Sequence, residues 1–286
     1  MYNLRYHLAS LVAVFIALAV GLLLGTVVAE RGMLDDQGVA LVQGLQARFD
    51  DISAENDVLE AGLERDRAFV EDAVGPLIAE RLAGQRVIVI GPAGEDGALA
   101  AASETAEAAG AEVLTLTLAT PALGMDNAEP EGLAGFLHGR DVEIAAAGAP
   151  LLEQVAELLS AEWRADGEQP LTEFLVTNGM ATLESAQGTG TLDAVVITGG
   201  PEGPADALGL ELAQQFIDAG GRSVGADLDV VEGGTAVMCA AEGVPAVDHL
   251  AMPQGRYSLV AMLAGLANGY YGTGDGADAY YAPLMP

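Results

Sequence analysis

The sequence contains no lysine, one cysteine, one tryptophan and three histidines in 286 residues. A single cysteine, Cys239, excludes an intrachain disulfide framework and any zinc or iron–sulfur site built from several thiolates. It says little about compartment, because an exported domain does not require disulfides. The scarcity of basic side chains excludes more. Only 11 arginines oppose 42 acidic residues, for a net charge of −31 at pH 7. Such a field repels phosphates and anionic head groups, so no nucleic-acid partner is expected. The carboxylates are spread along the chain, which reads as a generally acidic surface and not as a cation cluster.

Charge of either sign is missing from Leu8 to Ala29, LASLVAVFIALAVGLLLGTVVA, where Ser10 and Thr26 are the only polar side chains. A helix of that length rises about 33 Å, enough to cross a hydrocarbon core of about 30 Å. The apolar part of a cleaved secretory signal is usually about 7–15 residues, so the run reads as an uncleaved anchor that meets the lipid bilayer through residues 8–29. Ala13, Ala17, Gly21 and Gly25 recur at four-residue spacing, ending in a GxxxG. Small side chains of this kind let two helices approach closely in lipid, although Gly is common throughout this chain. Arg5 before the run and Arg31 after it nearly tie under the positive-inside rule. The Arg-poor bulk then favours a single-pass topology with the C-terminal domain outside the cytoplasm.

From Val42 the apolar pattern changes to heptads. The a and d positions are Val42, Leu45, Phe49, Ile52, Asn56, Leu59, Leu63, Asp66 and Val70, apolar at all but Asn56 and Asp66. Steps alternate between three and four, as a coiled-coil seam requires. A polar a position such as Asn56 fixes register and favours a parallel pair. The expectation is a stalk that forms a parallel homodimer; the alternative is one amphipathic helix packed on its own domain. Gly44 and Gly62 each weaken the helix by about 1 kcal/mol relative to Ala. Gly75-Pro76 is expected to break it.

The grammar then turns to strands and helices. Arg86 to Pro92 reads as a buried β-branched strand, Gly97 to Ala109 as a helix, and Glu112 to Leu118 as a second strand, together a βαβ unit. Short helical patterns cover Leu133 to Leu137 and Leu151 to Trp163, while Gly179 to Gly190 reads as loop or weak helix. Asp193 to Pro201 repeats the first strand's pattern, followed by a helix over Ala205 to Ala219, a strand over Arg222 to Ala226, an element around Ala236 to Cys239, and a helix over Tyr257 to Ala267. Alternation of this kind predicts an α/β fold, a Rossmann-like doubly wound domain with a parallel sheet. The expected organisation is an anchor over 1–30, a coiled-coil stalk over 31–75, an α/β domain over 84–268 and an extended C-terminal tail over 269–286. Tyrosine pairs in that tail either dock on a partner or pack back on the domain.

Motifs that carry chemistry are few. The loops Gly91 to Gly97 and Thr198 to Gly203 are not GxGxxG, contain no Lys or Arg, and the first places Glu95-Asp96 where a phosphate would sit. There is no GxSxG. Cys239 lies in an apolar run, where a buried inert thiol is expected, and Asp248-His249 reads as a surface or helix-start pair. An enzyme is therefore not expected. Cu(I) favours thiolate and thioether ligands, so the candidate copper ligands are Met238, Cys239, His249 and Met252. The alternative is that these methionines fill core gaps.

The opening Asn3-Leu4-Arg5-Tyr6-His7-Leu8-Ala9-Ser10-Leu11 through Gly21 resembles the mycobacterial copper-transport protein B family of actinobacteria. The resemblance continues through the heptads, the strands Arg86 to Gly91 and Val195 to Gly200, and the ending Gly255-Arg256-Tyr257-Ser258-Leu259-Val260 to Gly274. It implies copper efflux or homeostasis in the cell envelope, through members described as channel-like outer-membrane proteins. A single helix cannot line a pore, and buried strands of this type are not the alternating ten-residue strands of a membrane barrel. A dimeric, membrane-anchored scaffold that binds an envelope protein in cell division or wall assembly suits the residues better.

Overall fold

A computed structural model describes residues 4–94, 97–119, 123, 125, 129–185, 190–199 and 207–285, and the side chains of these except at 4–6, 29–40 and 185. The chain divides into two units, residues 1–66 and residues 67–286.

The first unit is helical throughout its described length, as part of α1 (Leu4–Ile78). Its stretch His7–Val28 is long and apolar enough to cross a membrane, and none of it is buried in the protein. Thr26, the polar side chain near its end, donates its hydroxyl to the Leu23 carbonyl at 3.0 Å and so carries no unpaired donor in the apolar stretch. Gly44 and Gly62 do not interrupt the helix.

Gly75-Pro76 does not break α1 either, contrary to the sequence expectation. Pro76 lies in the final turn, and the Ala79 amide donates to the Gly75 carbonyl at 3.0 Å, so the coil of the helix carries past the proline. The amide that Pro76 lacks would have bonded the Asp72 carbonyl, and Asp72 is an exposed residue, so the proline costs no buried hydrogen bond there.

The second unit is a mixed α/β domain around one seven-stranded sheet of order β3-β2-β1-β4-β5-β6-β7. The strands are β1 (Arg86–Pro92), β2 (Glu112–Leu118), β3 (Ala181–Ser185), β4 (Ala194–Thr198), β5 (Arg222–Ala226), β6 (Ala246–Val247) and β7 (Tyr270–Tyr271). All neighbours run parallel except β2 and β3, which are antiparallel. The helices are α2 (Gly97–Ala108), α3 (Leu133–His138), α4 (Ala149–Arg164), α5 (Pro170–Thr177), α6 (Ala207–Asp218), α7 (Thr235–Ala241) and α8 (Pro253–Leu263).

Strand periodicity divides the core in two. Ile88 and Ile90 of β1 and Val195 and Ile197 of β4 face a layer that includes α4, α6 and α7. Val87, Val89, Ala194 and Val196 face the opposite layer, made by α2, α8, the end of α1 and the C-terminal residues Ala282 and Met285. Burial on both faces explains why β1 and β4 read as unbroken apolar runs.

Two elements depart from the sequence reading. The stretch read as loop or weak helix, Gly179 to Gly190, contains edge strand β3, with residues 186–189 outside those described. The segment read as an extended tail begins with β7, whose Tyr270 and Tyr271 are buried and pair with Ala246 and Val247. The element around Ala236 to Cys239 is helix α7, and α5 is a further helix that the sequence pattern does not predict.

Candidate functional site

In a parallel sheet the carboxyl ends of the strands carry the ligand sites, most often where strand order reverses. Here that place lies between β1 and β4. The Thr198 hydroxyl donates to the Ile90 carbonyl at 3.1 Å and links the two strands there. The loops beyond them include residues 95–96 and 200–206, so part of the first glycine-rich turn and most of the second lie outside the described residues.

The polar cluster that the structure does define sits at the same edge, beyond β5, β6 and β7. Ala226 pairs with Val247 and Val247 with Tyr271, so the next residues, Asp227, Asp248 and Gly272, follow side by side. Both acids are buried, at 5 % and 1 % exposure. Asp227 accepts the Ala236 amide at 2.8 Å, which puts a carboxylate on the first turn of α7. Burial nevertheless pushes its pKa above the ordinary aspartate value, helped by the charge of Asp248 and opposed by the Ala236 and Thr235 hydrogen bonds.

Asp248 behaves the other way. Burial would raise it, but His249, the Tyr270 hydroxyl and the Gly274 and Thr273 amides together hold it below the ordinary value. Tyr270 donates at 2.6 Å, Gly274 at 2.6 Å and Thr273 at 3.1 Å. Burial and then Asp248 push the Tyr270 hydroxyl up, so it remains a donor. This arrangement cinches the Gly272–Gly274 turn onto β6. Gly272 is obligatory there: at φ +154 its Cβ would meet the Asp248 carboxylate.

His249 differs from the surface or helix-start residue expected. Its side chain is 7 % exposed, its Nδ1 lies 3.3 Å from Asp248 Oδ1, and its ring stacks on Tyr280 at 4.8 Å between centroids. The approach to Asp248 is close enough for attraction but poorly aligned, and neither imidazole nitrogen has a well-formed hydrogen bond among the described residues.

The four candidate copper ligands fall on two elements. Met238 and Cys239 are on α7, and His249 and Met252 flank the turn into α8, where the Met252 amide donates to the His249 carbonyl at 2.9 Å. Cys239 is fully buried, and burial, with Asp227 adding to it, pushes its thiol up to about 12. Without a metal it is a protonated thiol, and its complete burial leaves no open approach for an ion without rearrangement. Among the described residues no group of three or more His, Cys, Asp or Glu side chains is placed to hold a metal ion.

The expected dimerisation residues are all on α1. Ala13, Ala17, Gly21 and Gly25 lie on the exposed apolar stretch, and both glycines have open space where a Cβ would stand. Along the heptads Val42, Leu45, Phe49, Ile52, Asn56, Leu59 and Leu63 are exposed, Phe49 by 74 % and Leu63 by 70 %. Among the described residues nothing covers these apolar side chains.

The family described as copper transport outer membrane protein, MctB, matches residues 1–282. The chain belongs to the MctB family. No curated protein and no solved structure matches it. Membership associates this MctB-family chain with copper transport and, together with its apolar helix, with a membrane. Sequence reasoning missed the Asp227–Asp248–Tyr270 cluster. The signal was present: an acid directly after each of two apolar strand runs, where a side chain leaves the sheet and meets the loops.

Proposed function

We propose that this MctB-family chain is a single-pass, membrane-anchored cell-envelope protein that acts as a parallel homodimer and serves copper homeostasis as a scaffold. In this reading residues 8–29 lie in the bilayer, residues 31–75 form a coiled-coil stalk, and the Rossmann-like, doubly wound α/β domain lies outside the cytoplasm and binds an envelope protein. The protein is not an enzyme and has no nucleic-acid partner. The exposed heptad seam from Val42 to Leu63 carries the proposal, because an apolar stripe of that length on a helix is stable in water only when another helix covers it. Asn56 in its centre favours a parallel, in-register pair. Copper efflux then depends on what the scaffold assembles, since one spanning helix encloses no path for an ion.

A second reading has copper bound directly, and the observation in its favour is the buried His249 imidazole, neither nitrogen of which has a well-formed hydrogen bond among the described residues. The two readings separate in a Cu(I) titration of the full chain in detergent against a competing chelator under reducing conditions. The scaffold reading expects no stoichiometric binding. Tight binding that is lost in His249→Ala, Cys239→Ala or Met252→Ala establishes direct copper handling in its place.

A further inference from the structure

The α/β unit carries an apolar groove of about 240 Å³, in which Val70, Ala73 and Leu77 of α1 face Tyr257 of α8 and Tyr281 and Leu284 of the C-terminal segment. The segment is pinned by its backbone. The Ala282 amide donates to Ser258 Oγ at 2.9 Å, Tyr257 Oη donates to the Pro283 carbonyl at 2.9 Å, and the Met285 amide donates to the same tyrosine oxygen. Ala282 and Met285 turn into the core, whereas Tyr281 and Leu284 are 49 % and 72 % exposed, and Leu77 across the groove is 38 % exposed. Apolar side chains are thus held outside the chain's own core on a fixed backbone, which lowers the ordering cost of binding.

Two observations identify what covers them. Val70, Ala73 and Leu77 fall at a, d and a, the heptad positions that follow Leu63 and Asp66 in the sequence, so they continue the pattern that a second copy of the helix would match. In addition, none of the residues lining this groove is charged. On a chain of net charge −31, two copies repel over most of their surface, and an uncharged apolar face is where they can meet.

We propose that a second copy of this chain covers the groove, so that the dimer contact extends from α1 onto Tyr281 and Leu284 in an isologous, groove-to-groove arrangement. The proposal rests on the parallel-homodimer reading above and assigns the C-terminal segment a place in that interface.

The test uses the full chain in detergent with a short bismaleimide, with buried Cys239 as an unreactive background. Ile52→Cys reports the seam and Leu284→Cys reports the groove. Cross-linked dimers from both are expected. Cross-linking of Ile52→Cys without Leu284→Cys overturns the groove contact and leaves the dimer standing; absence of both overturns the dimer and the groove contact with it. As a second measurement, Leu284→Asp is expected to raise the dimer dissociation constant about tenfold or more. Leu266→Asp, at an exposed position outside the groove, is expected to leave it unchanged. An unchanged constant in Leu284→Asp overturns the proposal.

Discussion

The Tyr270 hydroxyl donates to Asp248 Oδ2 at 2.6 Å, joining the first residue of β7 to the residue that leaves β6. Through the same carboxylate the Thr273 and Gly274 amides are held, so one buried acid organises the turn that follows the last strand.

The two strand-end acids are predicted to respond oppositely to pH. The folded pKa of Asp248 lies below its unfolded value, so its contribution is present above the unfolded pKa and is lost as pH falls through the folded one. Asp227 has a raised folded pKa, so its contribution is complete below the unfolded pKa and is lost as pH rises through the raised value. Asp248→Asn is expected to cost about 2 kcal/mol at pH 7, a penalty that shrinks below about pH 4. Asp227→Asn is expected to stay within about 1 kcal/mol at pH 7. Denaturant unfolding followed by fluorescence of the one tryptophan, Trp163, which is buried in the α/β unit, measures both. Equal penalties at pH 7 and pH 3.5 for Asp248→Asn would contradict the first expectation.

Gly272→Ala places a methyl group against the Asp248 carboxylate and forces an L side chain to φ +154. A loss of about 3 kcal/mol or more is expected in the same unfolding experiment. Gly276→Ala has open space at its Cβ and φ +90, so it carries backbone strain alone and is expected to cost less.

Asn56→Leu removes the one polar a position within the seam from Val42 to Leu63. The expected result is loss of a unique register or a rise to trimers and tetramers, read from the mass distribution of the full chain in detergent. A distribution identical to the parent's would show that Asn56 does not set the pairing.

In a parallel, in-register pair the g position Glu55 faces the e position Glu60 of the partner, a like-charge contact that weakens the stalk. Glu60→Arg converts it to an attractive pair and is expected to tighten the dimer by about 0.5 kcal/mol per contact at low ionic strength. The gain fades in high salt because the side chains are exposed. A dissociation constant that does not respond to this change argues for an antiparallel arrangement.

The strands that were legible in the sequence are those buried on both faces. Arg86 to Pro92 and Glu112 to Leu118 show their bounds because β-branched and leucine side chains run without interruption to a glycine or a turn. Edge strand β3 was illegible because its Thr182 and Glu184 face solvent and its five residues resemble a polar loop. Helix α5 spans eight residues, too few for a 3.6-residue period to stand out, although Pro170 at its first position was a usable start signal. Pro76 misled because it falls in the last turn of α1 at an exposed position, where proline is tolerated. The candidate ligands Cys239 and His249 were visible as residue types, and Asp248 as the neighbour of His249, but their burial, and the approach of Asp227 to Cys239 and Asp248, depend on strand ends brought together by β5, β6 and β7. No local pattern encodes that pairing.

The measurement that bears most directly on this account is the mass of the full chain in lipid nanodiscs or detergent micelles, by light scattering corrected for bound lipid or detergent. Two copies per particle are predicted, reduced to one by Ile52→Asp in the centre of the seam. One copy per particle in the parent chain, at concentrations where a stalk of this length pairs, would contradict it.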